Sequence, residues 1–143
     1  MKTFTFTIYG NQENESGNPI PYFRSTQGGQ FNKGAKRYHA WKDYVRAKFM
    51  DAVRREVSPT QYKAYEMSLF TKKKPIPSGG GEGLRPCMTL LIMWANKAHA
   101  DCDNVFKGIA DALFVNDKYL VSNGFSFQYS PNKEGSVTIT LTI

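Results

Sequence analysis

The nearly unbroken apolar run CMTLLIMWA, from Cys87 to Ala95, is the feature that most constrains how this chain folds. A membrane span requires roughly 18 or more consecutive apolar residues, and no stretch of the chain approaches that length. A strand of this composition has no polar face to turn towards water, so we expect a central strand covered on both faces. We also expect no association with membranes.

Shorter periodic segments on both sides of this run predict the rest of the fold. MKTFTFTIYG alternates phenylalanine and isoleucine with threonine, which predicts a strand over about residues 2–9. Apolar residues recur at helical spacing from Lys36 to Val57, and again from about Asn104 to Phe114. VSNGFSFQYS and GSVTITLTI predict two further strands, joined by PNKEG as a hairpin. The predicted fold class is α+β (mixed α/β), with a small mixed sheet of about four strands packed with two main helices.

The segment from about residue 59 to residue 85 is predicted to be an insertion into a single domain that spans residues 1–143. The sequence SPTQ is a capping-box pattern with proline at the first helical position, and it predicts a short helix through about Leu69. The following TKKKPIPSGGGEG is too rich in lysine, proline and glycine to build a packed core. We expect an exposed, mobile connection there.

The charge balance favours polyanionic partners. Nineteen lysines and arginines against 12 acidic residues leave a formal net charge of +7 at pH 7, which favours nucleic acid as the partner. The candidate DNA contacts are Lys72, Lys73 and Lys74 in the insertion and Arg46 on the basic face of the first helix. A solvated charged surface explains the same residues, and the sequence leaves both interpretations open.

The N-terminal residues and the cysteines indicate a cellular compartment. The alternating MKTFTFTIYG lacks the unbroken apolar run of a secretory signal peptide. Cys87 and Cys102 are too few for a disulfide scaffold, and we expect them to be reduced thiols. The sequence therefore predicts a cytoplasmic protein.

Negative charge is concentrated in DCDNVFKGIADALFVNDKYL, residues 101–120, which holds four of the 12 acidic residues of the chain. Asp101 and Asp103 stand between the apolar strand and the next helix, where one of them would serve as an N-cap. Asp117 follows that helix and would approach its start only if the next strand pairs near the strand that ends at Ala95. Two carboxylates about 4 Å apart repel each other by about 4 kcal/mol at intermediate dielectric, and a divalent cation reverses this repulsion. The stretch is therefore a capped helix start or a cation site.

Carboxylate oxygens select hard ions, so the cation expected here is Mg²⁺, with Mn²⁺ as the alternative. Zinc is disfavoured because the available soft ligands show no recognised zinc-binding spacing: Cys87, Cys102, His39 and His99. A hard cation held by carboxylates makes a water nucleophilic and neutralises charge on a phosphate. Hydrolysis of a phosphodiester requires both effects.

The sequence DCDN at residues 101–104, Lys107, DAL at residues 111–113 and then Asp117 together resemble the RusA-type Holliday junction resolvases, a family common in prophages. The order of predicted strands and helices agrees with that family over most of the chain. The resemblance implies that Asp101, Asp103 and Asp117 are metal-binding catalytic carboxylates and that Lys107 is the catalytic lysine. It also implies a homodimer with an active site in each subunit.

The roles of the neighbouring residues stay open at this point. Lys107 lies about one helical turn beyond Asp103, so it could reach the same pocket or form an ion pair with Asp103 or Asp111. Asn104 could orient a ligand or contact DNA, or it could merely begin the helix. Asp111 lies two turns further along the helix and is predicted to be structural.

These observations predict a metal-dependent, structure-selective DNA endonuclease that resolves four-way junctions by paired nicks in recombination and repair. Two alternatives remain. One is a nuclease of the same family that prefers flaps or replication forks. The other is a basic DNA-binding module without catalytic activity, whose aspartates only cap a helix.

Overall fold

The computed structural model describes residues 2–24, 32–71, 86–114 and 120–143. These residues form seven elements in the predicted order: β1 (Thr3–Tyr9), α1 (Lys33–Glu56), α2 (Pro59–Thr71), β2 (Cys87–Trp94), α3 (Cys102–Leu113), β3 (Val121–Tyr129) and β4 (Ser136–Thr142). The strands form one mixed sheet, so the predicted α+β class is confirmed. None of the described helices combines the length and the apolar character that crossing a bilayer requires.

The strand order of the sheet is β1-β4-β2-β3. β4 runs antiparallel to both of its neighbours, β1 and β2, whereas β3 runs parallel to β2. β2 therefore separates β3 from β4, and the predicted hairpin between them is wrong. The connection passes the end of β2 instead, where Ser130 N donates a hydrogen bond of 2.8 Å to Trp94 O. The apolar run of β2 is buried better between two strands than at an edge, and this burial outweighs local pairing of β3 with β4.

The helices cover one face of the sheet. On that face, alternate residues of β2 are fully buried: Met88, Leu90, Ile92 and Trp94. On the other face, Leu91 and Met93 are half-buried and Thr89 is exposed. Threonines of β1 and β4 lie beside them, and the hydroxyls of Thr3 and Thr142 form a hydrogen bond of 2.9 Å. Within the described residues no helix covers this second face of the sheet, so the prediction that β2 is covered on both faces is wrong. The second face is lined largely by threonine side chains, which tolerate contact with water.

α1 packs on the covered face through its apolar side. The residues predicted to form that side are buried: Tyr38, Trp41, Val45, Phe49, Ala52 and Val53. The Phe49 ring packs edge-on against Phe4 of β1, with ring centroids 5.8 Å apart. The helix begins earlier than predicted because Asn32 Oδ1 accepts hydrogen bonds from Gly34 N and Ala35 N, at 2.7 and 3.2 Å.

α2 begins with the predicted capping box. Ser58 Oγ accepts a hydrogen bond from Gln61 N at 3.3 Å, and Gln61 Oε1 accepts one from Ser58 N at 3.2 Å. The first half of this helix also contributes to the margin of the core, since the Tyr65 ring packs edge-on against Phe4 with ring centroids 5.4 Å apart. Residues 72–85, which include the predicted mobile connection, lie outside the described residues.

α3 joins the two parallel strands β2 and β3, and parallel pairing requires a crossover of this kind. In the parallel register Cys87 lies beside Val121, and Trp94 lies beside Tyr129. The chain therefore leaves β2 at one end of the sheet, and α3 carries it back to the other end, where β3 begins. The start of α3, with its aspartates, lies at the Trp94 end.

Candidate active site at the start of α3

Asp101 stands at the N-cap position of α3. Its backbone is extended, with φ −71° and ψ 144°. Its carbonyl oxygen accepts hydrogen bonds from Asn104 N and Val105 N, both at 3.2 Å, but its side chain makes no capping hydrogen bond. Asp103 lies in the first turn, where the positive end of the helix dipole favours its charge. Both aspartates are exposed, so two carboxylates reach solvent, and Asp101 does not cap the helix with its side chain as the capping alternative requires.

A cavity of about 400 Å³ lies beside these carboxylates. The turn before α3, the first turn of the helix and the aromatic side chains of β3 form its walls. The lining residues are His99, Ala100, Asp101, Cys102, Asp103, Phe125 and Phe127. A lining of carboxylates and aromatic rings suits a ligand that has a cationic or cation-bridged part and an apolar, planar part.

Cys102, between the two aspartates, remains a thiol at neutral pH. Burial raises the pKa of this thiol above its ordinary value of 9.0, while the neighbouring indole of Trp94 lowers the pKa. The negative charges of Asp101 and Asp103 raise the pKa further. A neutral thiol is a poor nucleophile, so Cys102 is not a candidate nucleophile in the metal-free protein.

His99 holds the turn before Asp101 against β3. Its ring stacks on Trp94, with centroids 4.2 Å apart and an angle of 10° between the planes. Nδ1 lies 2.8 Å from Ala100 O, and Nε2 lies 2.9 Å from the Tyr129 hydroxyl oxygen. In the neutral ring, Nδ1–H donates to the carbonyl and Nε2 accepts from Tyr129. His99 therefore positions the start of the candidate site.

The segment after β1 lies across the first two turns of α3, where Pro21 and Tyr22 contact it. Tyr22 N donates a hydrogen bond of 2.9 Å to Asn104 O, and Lys107 Nζ lies 4.5 Å from the centroid of the Tyr22 ring. Gly108 permits this close approach, because a Cβ there would lie only 3.1 Å from Tyr22 N. The ring gives Lys107 a preferred direction through a cation–π interaction, although the residue is exposed.

Lys107 has no ion pair within 4.0 Å in the described part of the chain, so the predicted alternative of a pair with Asp103 or Asp111 is not formed there. Asp111 instead accepts a 2.6 Å hydrogen bond from the Tyr38 hydroxyl and pairs with Lys42 at 3.3 Å. Both partners belong to α1. Asp111 therefore joins α1 to α3, which agrees with its predicted structural role.

The remaining predicted site residues have different surroundings. Arg46 Nε donates a hydrogen bond of 2.6 Å to Ala112 O, and Arg46 Nη1 lies 3.6 Å from Asp43 Oδ1. Arg46 thus ties α1 to the end of α3. Asn104 is exposed in the first turn of α3. The others lie outside the described residues: Lys72, Lys73, Lys74 and Asp117. DNA contact by the basic residues and by Asn104 stays a prediction.

The sheet topology shows where the strand that follows Asp117, the predicted third carboxylate, begins. The strand after Asp117 pairs with β2, as the prediction required, but in the parallel sense. Val121 at the start of β3 therefore lies beside Cys87, at the opposite end of β2 from Trp94 and the start of α3. Within the described residues, no group of three or more His, Cys, Asp or Glu side chains could hold a metal ion. The described donors at the site are thus two carboxylates.

Two exposed carboxylates suit a magnesium site better than a zinc site. Mg²⁺ usually keeps several waters and takes one or two protein carboxylates together with substrate phosphates. Asp101 and Asp103 supply such oxygens, whereas a zinc site usually requires three or four protein ligands with histidine or cysteine among them. The residues present therefore fit Mg²⁺ or Mn²⁺.

The sequence patterns did not place aromatic rings at this site. The alternation of Phe125, Phe127 and Tyr129 with polar residues predicted a strand, and nothing local placed that strand beside Asp101. Its place follows from the parallel pairing with β2. The one hint in the sequence is that β3 has three alternating aromatic residues and no charged residue.

Comparison with known proteins leaves the family open. The chain matches no model of a known protein family, and it matches no curated protein. The resemblance of residues 101–120 to the RusA-type resolvases stays a prediction. Function is therefore inferred from the residues of the site, with that resemblance as support.

Proposed function

We propose that this protein is a metal-dependent, structure-selective DNA endonuclease that resolves four-way junctions by paired nicks in recombination and repair. The observation that carries the proposal is the pair of exposed carboxylates at the start of α3, where Asp101 occupies the cap position without capping through its side chain. Two carboxylates that close in the chain and that accessible can bind a divalent cation, which would also relieve any repulsion between them. The resemblance of residues 101–120 to RusA-type resolvases supports the substrate class.

The residues of the site have distinct roles in this proposal. Asp101 and Asp103 hold the metal, together with Asp117 as the resemblance implies. Bound Mg²⁺ supplies an activated water and neutralises charge on the phosphate. Lys107, held over the Tyr22 ring, provides a fixed positive charge for the scissile phosphate. The net charge of +7 attracts the DNA backbone.

The proposed substrate also bears on assembly and compartment. A four-way junction presents symmetry-related strands, and paired nicks require two active sites at a fixed separation. We therefore infer a homodimer. Cys87 and Cys102 are free thiols, which agrees with action in the reducing cytoplasm.

Asp103→Asn tests the proposal because it removes one negative charge and one metal donor at nearly constant size. With Mg²⁺, the variant should fail to cut a synthetic four-way junction that the wild type cuts. Without metal, its junction binding should equal or exceed that of the wild type, because a negative charge facing the DNA is gone. The free energy of unfolding should fall by no more than about 1 kcal/mol, the usual size of a charge–dipole interaction.

Asp51→Asn is the matched control, because Asp51 is an exposed helical aspartate that pairs with Arg54 at 3.5 Å on α1. It should cut junctions as the wild type does. Flap and fork substrates are assayed alongside, since faster cutting of these would indicate the related flap or fork nuclease. If the wild type binds junctions but cuts no substrate with Mg²⁺ or Mn²⁺, the non-catalytic DNA-binding module is correct. If Asp103→Asn lowers junction binding and the free energy of unfolding together, Asp103 has a structural role and not a catalytic one.

A further inference from the structure

β3, at the edge of the sheet, carries three exposed aromatic rings on one face: Phe125 (43% exposed), Phe127 (51%) and Tyr129 (49%). These three residues are called the aromatic row. Their partners on β2 are fully buried: Leu90, Ile92 and Trp94. The aromatic row therefore lies on the same face of the sheet as the core residues of β2, at the edge strand, where the helices leave the rings partly exposed.

The exposure of the aromatic row is unusual for rings on the core face of a sheet. All residues from 125 to 129 are exposed, so side chains on both faces of this part of β3 reach solvent. The strand has no charged residue to keep other molecules away from its edge. Contiguous exposed apolar surface of this kind marks a binding surface.

Neighbouring side chains hold the rings of the aromatic row in place. Phe127 and Tyr129 meet edge to face, with centroids 6.1 Å apart and an angle of 86° between the planes. Phe125 packs against Phe106 of α3 at 6.2 Å, and His99 anchors Tyr129 through the 2.9 Å hydrogen bond. The rings are therefore preorganised, which reduces the entropy lost when a planar ligand binds.

The aromatic row shares its cavity with the candidate metal carboxylates. Phe125 and Phe127 line the cavity of about 400 Å³ together with Asp101 and Asp103. Sites for small organic ligands have volumes of roughly 300–1,000 Å³. A ligand whose phosphate is bridged to the carboxylates by a cation would therefore place its adjacent groups near the rings.

We propose that the aromatic row binds unpaired nucleobases of the DNA by stacking, an inference that rests on the proposed nuclease function because the ligand is the same DNA. Every nucleobase has an apolar planar face, and aromatic side chains bind such faces with little sequence preference. The net charge of +7 favours the phosphate backbone of the same strand. An apolar ring surface on a basic protein thus matches single-stranded DNA at a branch point.

A second copy of the chain is the competing occupant, since β3 lies at the edge of the sheet and could pair with another strand. The position of the rings favours nucleobases instead. A protein surface over the aromatic row would also close the cavity and remove Asp101 and Asp103 from water, and burying unpaired carboxylates is costly. A DNA strand leaves these carboxylates hydrated and accessible to a cation.

The inference is tested by DNA binding in EDTA, where no cutting occurs. The two probes are a labelled single-stranded oligothymidylate and an abasic oligonucleotide of the same length, which has the same phosphates and no bases. The wild type should bind the oligothymidylate at least about tenfold more tightly, as expected when one base stacks. Phe127→Leu, which keeps an apolar side chain, should lower this ratio at least severalfold, with Phe125 and Tyr129 still in place, whereas Phe127→Trp should preserve it.

Tyr9→Leu is the matched control, because Tyr9 is 67% exposed on β1 at the other edge of the sheet. It should leave the ratio unchanged. Equal affinity of the wild type for the two probes would overturn the inference, and so would an unchanged ratio in Phe127→Leu. If that unchanged ratio is accompanied by dissociation of a dimer in sedimentation, the occupant of the aromatic row is a second copy.

Failure here is distinguishable from failure of the proposed nuclease function, because the binding assay contains no metal and measures no cutting. A wild-type protein that prefers bases but cuts no branched DNA would refute only the nuclease function. A protein that cuts junctions without preferring bases would refute only the role of the aromatic row.

Discussion

Asp111 stabilises the packing of α1 against α3 at the scale of single residues. Its carboxylate binds the Tyr38 hydroxyl and Lys42, and the Lys42 ammonium lies 4.9 Å from the centroid of the Tyr38 ring. The Lys42 side chain is only 15% exposed, so loss of its partner leaves a shielded charge unpaired. We expect Asp111→Ala to lower the free energy of unfolding by about 1–3 kcal/mol, measured by urea denaturation.

The control for Asp111→Ala is Asp51→Ala, which removes an ion pair whose two side chains are both well exposed on α1. Exposed pairs contribute about 0–1 kcal/mol, so this change should have little effect. If the two substitutions destabilise equally, Asp111 does not stabilise the packing of α1 against α3 more than an ordinary surface residue does.

Lys107 is the residue for which catalytic and structural roles are most easily separated. We expect Lys107→Ala to lower the single-turnover cleavage rate about 10²-fold, the usual effect of losing one preorganised stabilising group. Junction binding should weaken far less. The free energy of unfolding should fall by about 1 kcal/mol at most, because the cation–π interaction with Tyr22 is removed.

Lys48→Ala is the matched control for Lys107→Ala. Lys48 is also an exposed helical lysine over a tyrosine, with Nζ 5.3 Å from the centroid of the Tyr44 ring. It should lose similar stability and keep the wild-type cleavage rate. An unchanged rate in Lys107→Ala would reduce that lysine to a surface residue.

At the scale of elements, α3 assembles the candidate site from distant parts of the chain. Its first turn comes soon after β2 in the chain. Asn104 O accepts the 2.9 Å hydrogen bond from Tyr22 N in the segment after β1, and Phe106 packs against Phe125 of β3. Gly108 makes this crowding possible. α3 therefore fixes the relative positions of the carboxylates and Lys107, and it contacts the aromatic row, whose place follows from the pairing of β3 with β2.

The predicted insertion leads to an expectation about DNA binding. Replacing Lys72, Lys73 and Lys74 with alanine should change the free energy of unfolding by no more than about 0.5 kcal/mol for each substitution, because the composition of this segment predicts that it lies outside the packed core. Junction binding should weaken, and its salt dependence should become shallower by up to about 0.9 in slope for each phosphate that the protein no longer neutralises. Titrations at several salt concentrations measure both quantities.

A second triple variant separates a local effect from loss of net charge. Lys33, Lys36 and Lys48 are exposed on α1, and their replacement by alanine removes the same charge. If both triple variants bind and respond to salt alike, the lysines at 72–74 act only through net charge. Wild-type affinity and slope in the first variant would mean that these lysines do not touch DNA.

For the whole molecule, the symmetry of the proposed substrate predicts a dimer. Sedimentation equilibrium of the metal-free protein should give about twice the monomer mass of 16.2 kDa. The measurement is repeated under the conditions of junction cleavage. A monomer that nevertheless makes paired nicks would contradict the homodimer, since coordinated cuts require two sites held together.

Local patterns in the sequence predicted every described element, because each pattern records which side of a segment is apolar. Trp41 and Phe49 lie at helical spacing and are buried in α1. Ile139 lies between half-buried threonines and faces the core from β4. The Asp101 and Asp103 pair was visible in the same way, since both the apolar run before it and the helix after it are local features.

The sequence by itself therefore determined the elements, their order, the basic charge and the clustered aspartates. Only the tertiary structure decided that β2 lies between β3 and β4. It also decided that one face of the sheet is lined by threonines rather than covered by helices, and that the aromatic row lies beside Asp101. It also decided that the Asp101 side chain does not cap α3 and that Asp111 pairs with α1. The physical reason is that distant segments compete for the same apolar surface, and this competition decides which strands pair and which side chains meet. The periodicity of one segment shows which of its sides is apolar, but it does not show which other segment will cover that side.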